Sequence, residues 1–416
     1  MYKSFESIIT RGISILAKFL LITFLAKNLV LAEYGMYQLI AYFSFIAISI
    51  YGLEYYMHGN REIAKGLDNK QNINNHISFL ITLLPLTFII HIIAIKFLLP
   101  NELLTIKIVL IIIFINLSDY FNQEVYRYLI MIKKITKANL LLVAKSTLFL
   151  ILVVSYYYFF KEINLDKVLM LMFLAYSILF TLTLSSLFKY IIKWSDIKLK
   201  ILSLLELKKI FKILIPFLFL MVFTKGLEFF DKFAIEHLYG SEAVGVYSFL
   251  FAISTLVYVF VVSGFYLVYL PEFIKLNEEK SSQIKSKLIR FGVLVIISSA
   301  VLSSCMVFFI DILLNLIGKS ALVDHLNILY ILLIAFCILN FSLIPGILLY
   351  IRGREKIIMK ITGVIFIFNL ILNLIFLKLY NIKGAAIALL LTYILHFIIT
   401  SYKAISEWTL MKKEFL

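Results

Sequence analysis

Charge is scarce in this chain. Only 15% of its 416 residues are Asp, Glu, Lys or Arg, against roughly a quarter in soluble domains. Apolar residues make up 62% and the mean hydropathy is +1.01. A domain that solvates its whole surface is excluded; an integral membrane protein with few extramembrane parts is what remains. Cysteine is nearly absent. Cys305 and Cys337 both lie in apolar runs without CxxC or metal-ligand spacing, so they read as inert packing residues. His58, His76, His91, His237, His325 and His396 are scattered with no HExxH pattern, which argues against a metal centre; His91 and His396 are candidate proton carriers. No GxxxxGK[ST] or GxSxG is present, and no link is long enough to house a glycosyl-transferase domain. Neither an enzyme nor a bound cofactor is expected. Lys3 and Arg11 precede the first apolar run, but no small-residue cleavage site follows it, so that helix is expected to be retained.

Long apolar runs are what the chain has. They recur at about 20 residues, a length that suits membrane helices rather than the short alternating strands of a barrel. The windows fall at 12–31, 36–57, 77–99, 103–122, 139–160 and 167–188, then 212–236, 243–268, 288–314, 326–350, 356–378 and 383–405. The net charge of +16 sits in the short links, which points to membrane topology rather than nucleic acid. Of the 40 basic residues, 28 fall on the side of the termini, Lys65 and Lys280 among them, and eight on the other. That bias predicts cytoplasmic termini.

The fold expected is therefore all-α: twelve transmembrane helices in two six-helix lobes, residues 1–188 and 212–416. The link 189–211 alternates basic and apolar residues and reads as an amphipathic helix on the cytoplasmic leaflet. A short internal echo supports two related lobes: an offset of 210 residues places Gly35 and Tyr37 on Gly245 and Tyr247. Such repeats are a mark of moving transporters. Pro85, Pro216, Gly226, Gly264, Pro271, Pro345 and Gly346 interrupt the spans and are candidate bending points.

Against this background a few charges stand at hydrocarbon depth, where an ammonium costs several kcal/mol unless it faces protein or water. Lys225 lies deepest, followed by Glu228, Asp231 and Lys232. Lys18 and Lys145 enter one to two turns into the first and fifth spans. Three lysines looking into one cavity would form a positive site for phosphate; snorkelling to the headgroups is the competing reading for Lys18 and Lys145. Lys18, Lys145, Lys225 and Lys232 are the candidate substrate-binding residues. Glu54, Asp119, Glu228 and Asp231 are the candidate coupling or gating carboxylates, although Asp119 with Glu124 and Arg127 also reads as a helix-end cluster.

Three stretches resemble the polysaccharide-biosynthesis or O-antigen flippases, within the superfamily of multidrug and toxin extruders and lipid II flippases. Leu29-Val-Leu-Ala-Glu-Tyr-Gly-Met-Tyr37 is similar to that family's link after the first helix. The stretch from Asp231-Lys232 through Gly240 to Val244-Gly-Val-Tyr-Ser248 is similar to its "DR..I....G...VG.YS" pattern, with Lys232 in place of the usual arginine. Asn369 to Ala388 is similar to "N..LN..LIP..G..GAA.A", with Phe376-Leu377-Lys378 in place of the proline-containing exit. The resemblance implies a V-shaped pair of lobes in the bacterial inner membrane that moves undecaprenyl-pyrophosphate-linked oligosaccharide to the periplasmic leaflet. It also implies coupling to an ion gradient and work beside membrane lipids, a glycan polymerase and a chain-length regulator. A multidrug extruder is the runner-up, and its cavity should be acidic. A lipid II flippase commonly carries two further helices for which this length leaves no room. A non-transporting scaffold of a glycan-assembly complex is the reading from another class.

Overall fold

The computed structural model describes residues 2–64, 68–279, 281 and 283–415, and among them every regular element is helical. Lys65 and Lys280, counted with the basic links, lie outside the described residues. The helices run α1 Tyr2–Asn28, α2 Leu31–Gly52, α3 Tyr55–Ala64, α4 Asn69–Leu98, α5 Ile106–Met131, α6 Ile135–Phe160 and α7 Leu165–Tyr190. They continue as α8 Leu204–Val261, α9 Leu267–Glu278, α10 Ile284–Ile317, α11 Ser320–Asp324, α12 Leu326–Ile351 and α13 Glu355–Phe415.

By length and composition, ten described stretches can cross a membrane. Two of these, Leu204–Glu278 with 75 residues and Glu355–Met411 with 57, are long enough for two passages each, since a span needs about 20 residues. Their breaks fall at Gly240 (φ 78°) and at Tyr380–Asn381. The twelve expected passages are thus accounted for, and the chain is a multi-pass membrane protein. Large apolar side chains such as Phe97, Phe159, Phe308 and Leu379 stay exposed along the helices, as lipid-facing surfaces require.

The chain divides into two compact units, Met1–Lys225 and Gly226–Leu416. The division falls inside α8, so the first part of that helix packs with the preceding helices: Leu214 is buried beside Tyr55, Phe79 and Leu83. Within the first unit α5 packs against α2, α6 and α7, and α1 against α6.

An amphipathic helix was expected across 189–211, and the structure departs from it. After Tyr190 the chain makes only a short 3₁₀ turn, Trp194–Asp196, and runs extended to Ser203. The backbone N–H groups of Lys198, Lys200 and Leu202 donate to Asn74 Oδ1 (2.8 Å), Ser78 Oγ (3.2 Å) and Thr82 Oγ1 (3.0 Å) on α4. Two residues of extended chain and four of helix both advance about 6–7 Å, which keeps the three rungs in register. Lys70 Nζ ties the start of this strap to Asp196 Oδ2 at 2.8 Å. That ammonium holds the Asp196 carboxyl below the usual carboxylate range, so the tie is complete at neutral pH and weakens only as pH falls through the lowered value. Leu199, Ile201, Leu204 and Leu205 remain exposed among the lysines, so the amphipathic character holds without the helix. The signal was present: Ile197-Lys-Leu-Lys-Ile201 alternates with a period of two.

In the second unit α12 packs against α10 and α13 around Val261, Phe273, Phe291, Ile347 and Ile365. The two passages of α13 are tied by a buried amide: Asn369 Nδ2 donates to Thr392 Oγ1 (3.0 Å), while Asn373 Nδ2 donates to the carbonyl of Asn369 (3.0 Å) within the first passage. At their break Gly384 lies against backbone, and a Cβ there would stand 1.9 Å from the Phe376 carbonyl oxygen. Gly384→Ala should therefore lower the thermal midpoint of the purified protein well beyond the about 1–3 kcal/mol usual for overpacking. Gly264→Ala, where nothing lies within 4 Å of the added methyl, should leave it near the parent value.

Candidate ligand cavity

α5 runs nine residues past the expected end of its span, to Met131, because its polar residues share an inward face. Asn116, Asp119, Gln123 and Arg127 follow one another at helical spacing, and Tyr120, Glu124 and Tyr128 form the adjoining row. The expected helix-end cluster is thus the middle of a helix, with Asn116, Asp119 and Glu124 all buried. Opposite it α2 stops at Gly52. Leu53 (φ 43°) and Glu54 (φ 57°) take left-handed conformations before α3 restarts. This conformation costs a non-glycine residue about 1–2 kcal/mol, and here it turns Glu54 and Tyr56 toward α5 and the first part of α8.

Between these elements lies a cavity of about 350 Å³, wholly within the first unit. Its polar lining is Ser49, Glu54, Tyr56, Gln123, Arg127, Thr224 and Lys225. The Arg127 guanidinium stacks 3.7 Å over the Tyr56 ring and is hydrogen-bonded to Glu124. The Lys225 ammonium stands 5.5 Å from the centre of the Phe45 ring. Glu54 lies beside the Tyr56 hydroxyl and within the fields of Arg127 and Lys225. The lining thus holds two basic side chains and one carboxylate, with Glu124 behind them bonded to Arg127. Behind it, buried His76 bonds to Tyr120 (3.2 Å) and Tyr128 and stands 3.8 Å from Glu124.

Lys225, the residue picked first from the sequence, lines this cavity, and Glu54 joins it. Lys18 and Lys145 do not; they meet one another elsewhere in the first unit. Lys145 Nζ lies 2.5 Å from Asp119 Oδ1, and Lys18 on α1 is within electrostatic reach of both. Tyr176 of α7 completes that group beside Asp119. Two lysines from separate helices do converge, but around a buried carboxylate that offsets their charge. The expectation of three free amines at one anion site is corrected accordingly.

Lys232 is a further correction. It is fully buried and presents no surface to a cavity. Its ammonium sits 2.9 Å from Asp231 Oδ1, donates to the Glu228 carbonyl (2.7 Å) and lies 3.4 Å over the Phe251 ring. Tyr247 donates its hydroxyl to Asp231 Oδ2 at 2.7 Å. Asp231, Lys232 and Tyr247, the most specific motif residues of the middle stretch, form one satisfied structural knot. Of the two remaining carboxylates proposed for coupling, Asp231 is held in this knot and Glu228 is exposed. Arg127 and Gln123, with Ser49, Tyr56 and Thr224, are polar lining residues that sequence reasoning did not assign to a site. The helical spacing from Asn116 to Arg127 was the signal that would have found the first two.

Removing one member of a buried ion pair leaves the other uncompensated, at a cost of about 3–5 kcal/mol. Asp231→Asn and Lys232→Met should each destabilise the protein on that scale. Their combination should cost clearly less than the sum, as read by thermal melting of the four proteins in detergent.

No protein-family model matches the sequence, and no curated protein matches it significantly. Solved structures do match. A multidrug-resistance MATE family transporter of the MOP superfamily, solved in an inward-facing conformation, superposes with a TM-score of 0.75 at 14% identity, covering 96% of this chain and 95% of that one. The lipid II flippase MurJ, in an inward closed conformation, gives 0.72 at 12% identity, covering 100% of this chain and 90% of MurJ. The Vibrio cholerae MATE transporter VcmN, in its bent form, gives 0.56 at 15% identity, with 100% and 97% covered. The chain has the fold shared by the MATE transporters and MurJ.

Proposed function

We propose that this protein carries a diphosphate-linked oligosaccharide on its polyprenyl carrier, of the undecaprenyl-pyrophosphate type, between the leaflets of the bacterial inner membrane by alternating access. The supporting observation is the cavity of the first unit, where Arg127 and Lys225 face one carboxylate. A diphosphate is too polar to cross hydrocarbon alone, and cations in a low-dielectric wall offset its desolvation. The guanidinium fork matches phosphate oxygens in pairs, whereas the ammonium acts as a point charge. The fold shared with a lipid II flippase supports the same class of cargo. O-antigen or a similar repeat unit is the cargo proposed, delivered to a glycan polymerase and its chain-length regulator, with both termini of this protein in the cytoplasm. Two lobes that each move as a body belong to the same proposal.

Glu54 is the carboxylate that links transport to an ion gradient in this reading. An arriving diphosphate repels it, and a proton on Glu54 removes the repulsion. The charged and titratable groups facing it are Tyr56 on α3, Arg127 and Glu124 on α5, and Lys225 on α8. Drug extrusion, the alternative on the same fold, calls for an acidic cavity, and the Arg127–Lys225 pair disfavours it.

Lys225→Ala and Arg127→Ala should each reduce flipping of undecaprenyl-pyrophosphate glycan in proteoliposomes at least tenfold with unchanged protein abundance, and Arg127→Lys should recover part of the loss. Unimpaired flipping by both alanine variants removes the cavity from the mechanism. Uptake of cationic dyes with no movement of the glycan lipid would turn the assignment to an extruder.

Carrier binding should tighten as pH falls through the range in which Glu54 takes up its proton. In Glu54→Gln that dependence should disappear and the affinity should stay at the low-pH value. An unchanged pH profile in the Gln variant excludes Glu54 as the coupling group.

A further inference from the structure

A second cavity, of about 260 Å³, lies entirely within the second unit and has a different chemistry. It is bounded by Tyr258 of α8, Tyr266, Ser342 and Tyr350 of α12, and His396 and Thr400 of α13. Among the described residues no Asp, Glu, Lys or Arg lines it. The phenol of Tyr266 is within electrostatic range of those of Tyr258 and Tyr350, so three hydroxyls from three elements converge there. Tyr266 closes a π-helical turn, Val262–Tyr266, that interrupts the α-helical register just before α9. Such turns re-aim a side chain and recur at functional sites.

Two polar atoms of the lining are buried without a hydrogen-bond partner: His396 Nδ1 and Thr400 Oγ1. Thr400 is 4% exposed. A helical threonine ordinarily returns its hydroxyl to the carbonyl four residues back, as Thr362 does to Ile358 and Thr392 to Ala388. Thr400 does not. An unmade bond at a buried hydroxyl costs about 1–3 kcal/mol, a cost that rotation of the Thr400 side chain toward a ligand in the cavity would remove.

We infer that this cavity is a subsite for one uncharged, hydroxyl-rich ring of the cargo, a neutral sugar unit. The inference rests on the proposed transport of a lipid-linked oligosaccharide and adds to it a site that reads the glycan rather than the phosphate. Neutral hydroxyls match a lining of phenols, a threonine hydroxyl and an imidazole, with nothing charged to be desolvated. Aromatic rings present apolar faces to the C–H side of a sugar and polar tips to its hydroxyls. The volume is below the roughly 300–1,000 Å³ of sites for drug-sized ligands, as suits a single ring. Specificity follows from the same asymmetry: a site built to hydrogen-bond hydroxyls discriminates strongly against a ring that lacks them.

The test compares binding of two lipids to the full-length protein in nanodiscs: bare undecaprenyl pyrophosphate, and the same carrier bearing the oligosaccharide extracted from the producing cells. The parent protein should bind the glycan-bearing lipid at least tenfold tighter than the bare one. Thr400→Val and Tyr266→Phe should together abolish that increment and leave the affinity for bare carrier unchanged, while Thr400→Ser retains it. Lys225→Ala should weaken both lipids alike. Thr400→Val alone should melt at or above the parent temperature without ligand, because the hydroxyl it removes is unpartnered. An increment that survives the double variant overturns the subsite and leaves the transport assignment standing. An equal affinity of the parent for both lipids also overturns it. Failure of the parent to bind either lipid overturns the transport assignment and the subsite with it.

Discussion

An ionised side chain within a membrane protein must meet a counter-charge or water, and this constraint orders the whole chain. With 15% charged residues the molecule places its few interior charges in groups. Lys145 and Lys18 gather around Asp119; Lys232 is locked to Asp231 under Tyr247 and Phe251; Arg127 is held by Glu124 and Tyr56. The first two groups offset charge inside the fold. The third borders a cavity, lined by Arg127, Lys225 and Glu54.

The architecture was legible because hydrocarbon imposes a length. Apolar runs marked the passages. The gaps between those runs, at 237–242 and 379–382, hold the breaks at Gly240 and Tyr380–Asn381. Function was less legible, for a physical reason: a one-dimensional reading detects a charge in an apolar run but not its partner. Lys232 and Lys225 look alike in the sequence. One is sealed by a neighbour on its own helix and a tyrosine 15 residues on, and the other looks into a cavity. Arg127 was assigned to a link because the polar residues of α5 suggested a helix end, although their spacing was helical. The strap after α7 was misread for the converse reason, since a period of two was taken for a period of 3.6.

The motif residues that carried the family resemblance also have mostly structural work. Asp231, Lys232 and Tyr247 tie two passages of the second unit, and Asn369 and Gly384 close its final hairpin. Fold-defining positions need not touch cargo. Residues proposed to touch it lie outside those motifs: a charged set in the first unit suited to phosphate, and an uncharged set in the second suited to a sugar.

The most direct measurement is an experimental structure of the protein in nanodiscs with undecaprenyl-pyrophosphate-linked glycan bound. The account predicts diphosphate density within hydrogen-bonding distance of both Lys225 and Arg127. Diphosphate density held by other residues, away from Lys225 and Arg127, would contradict it.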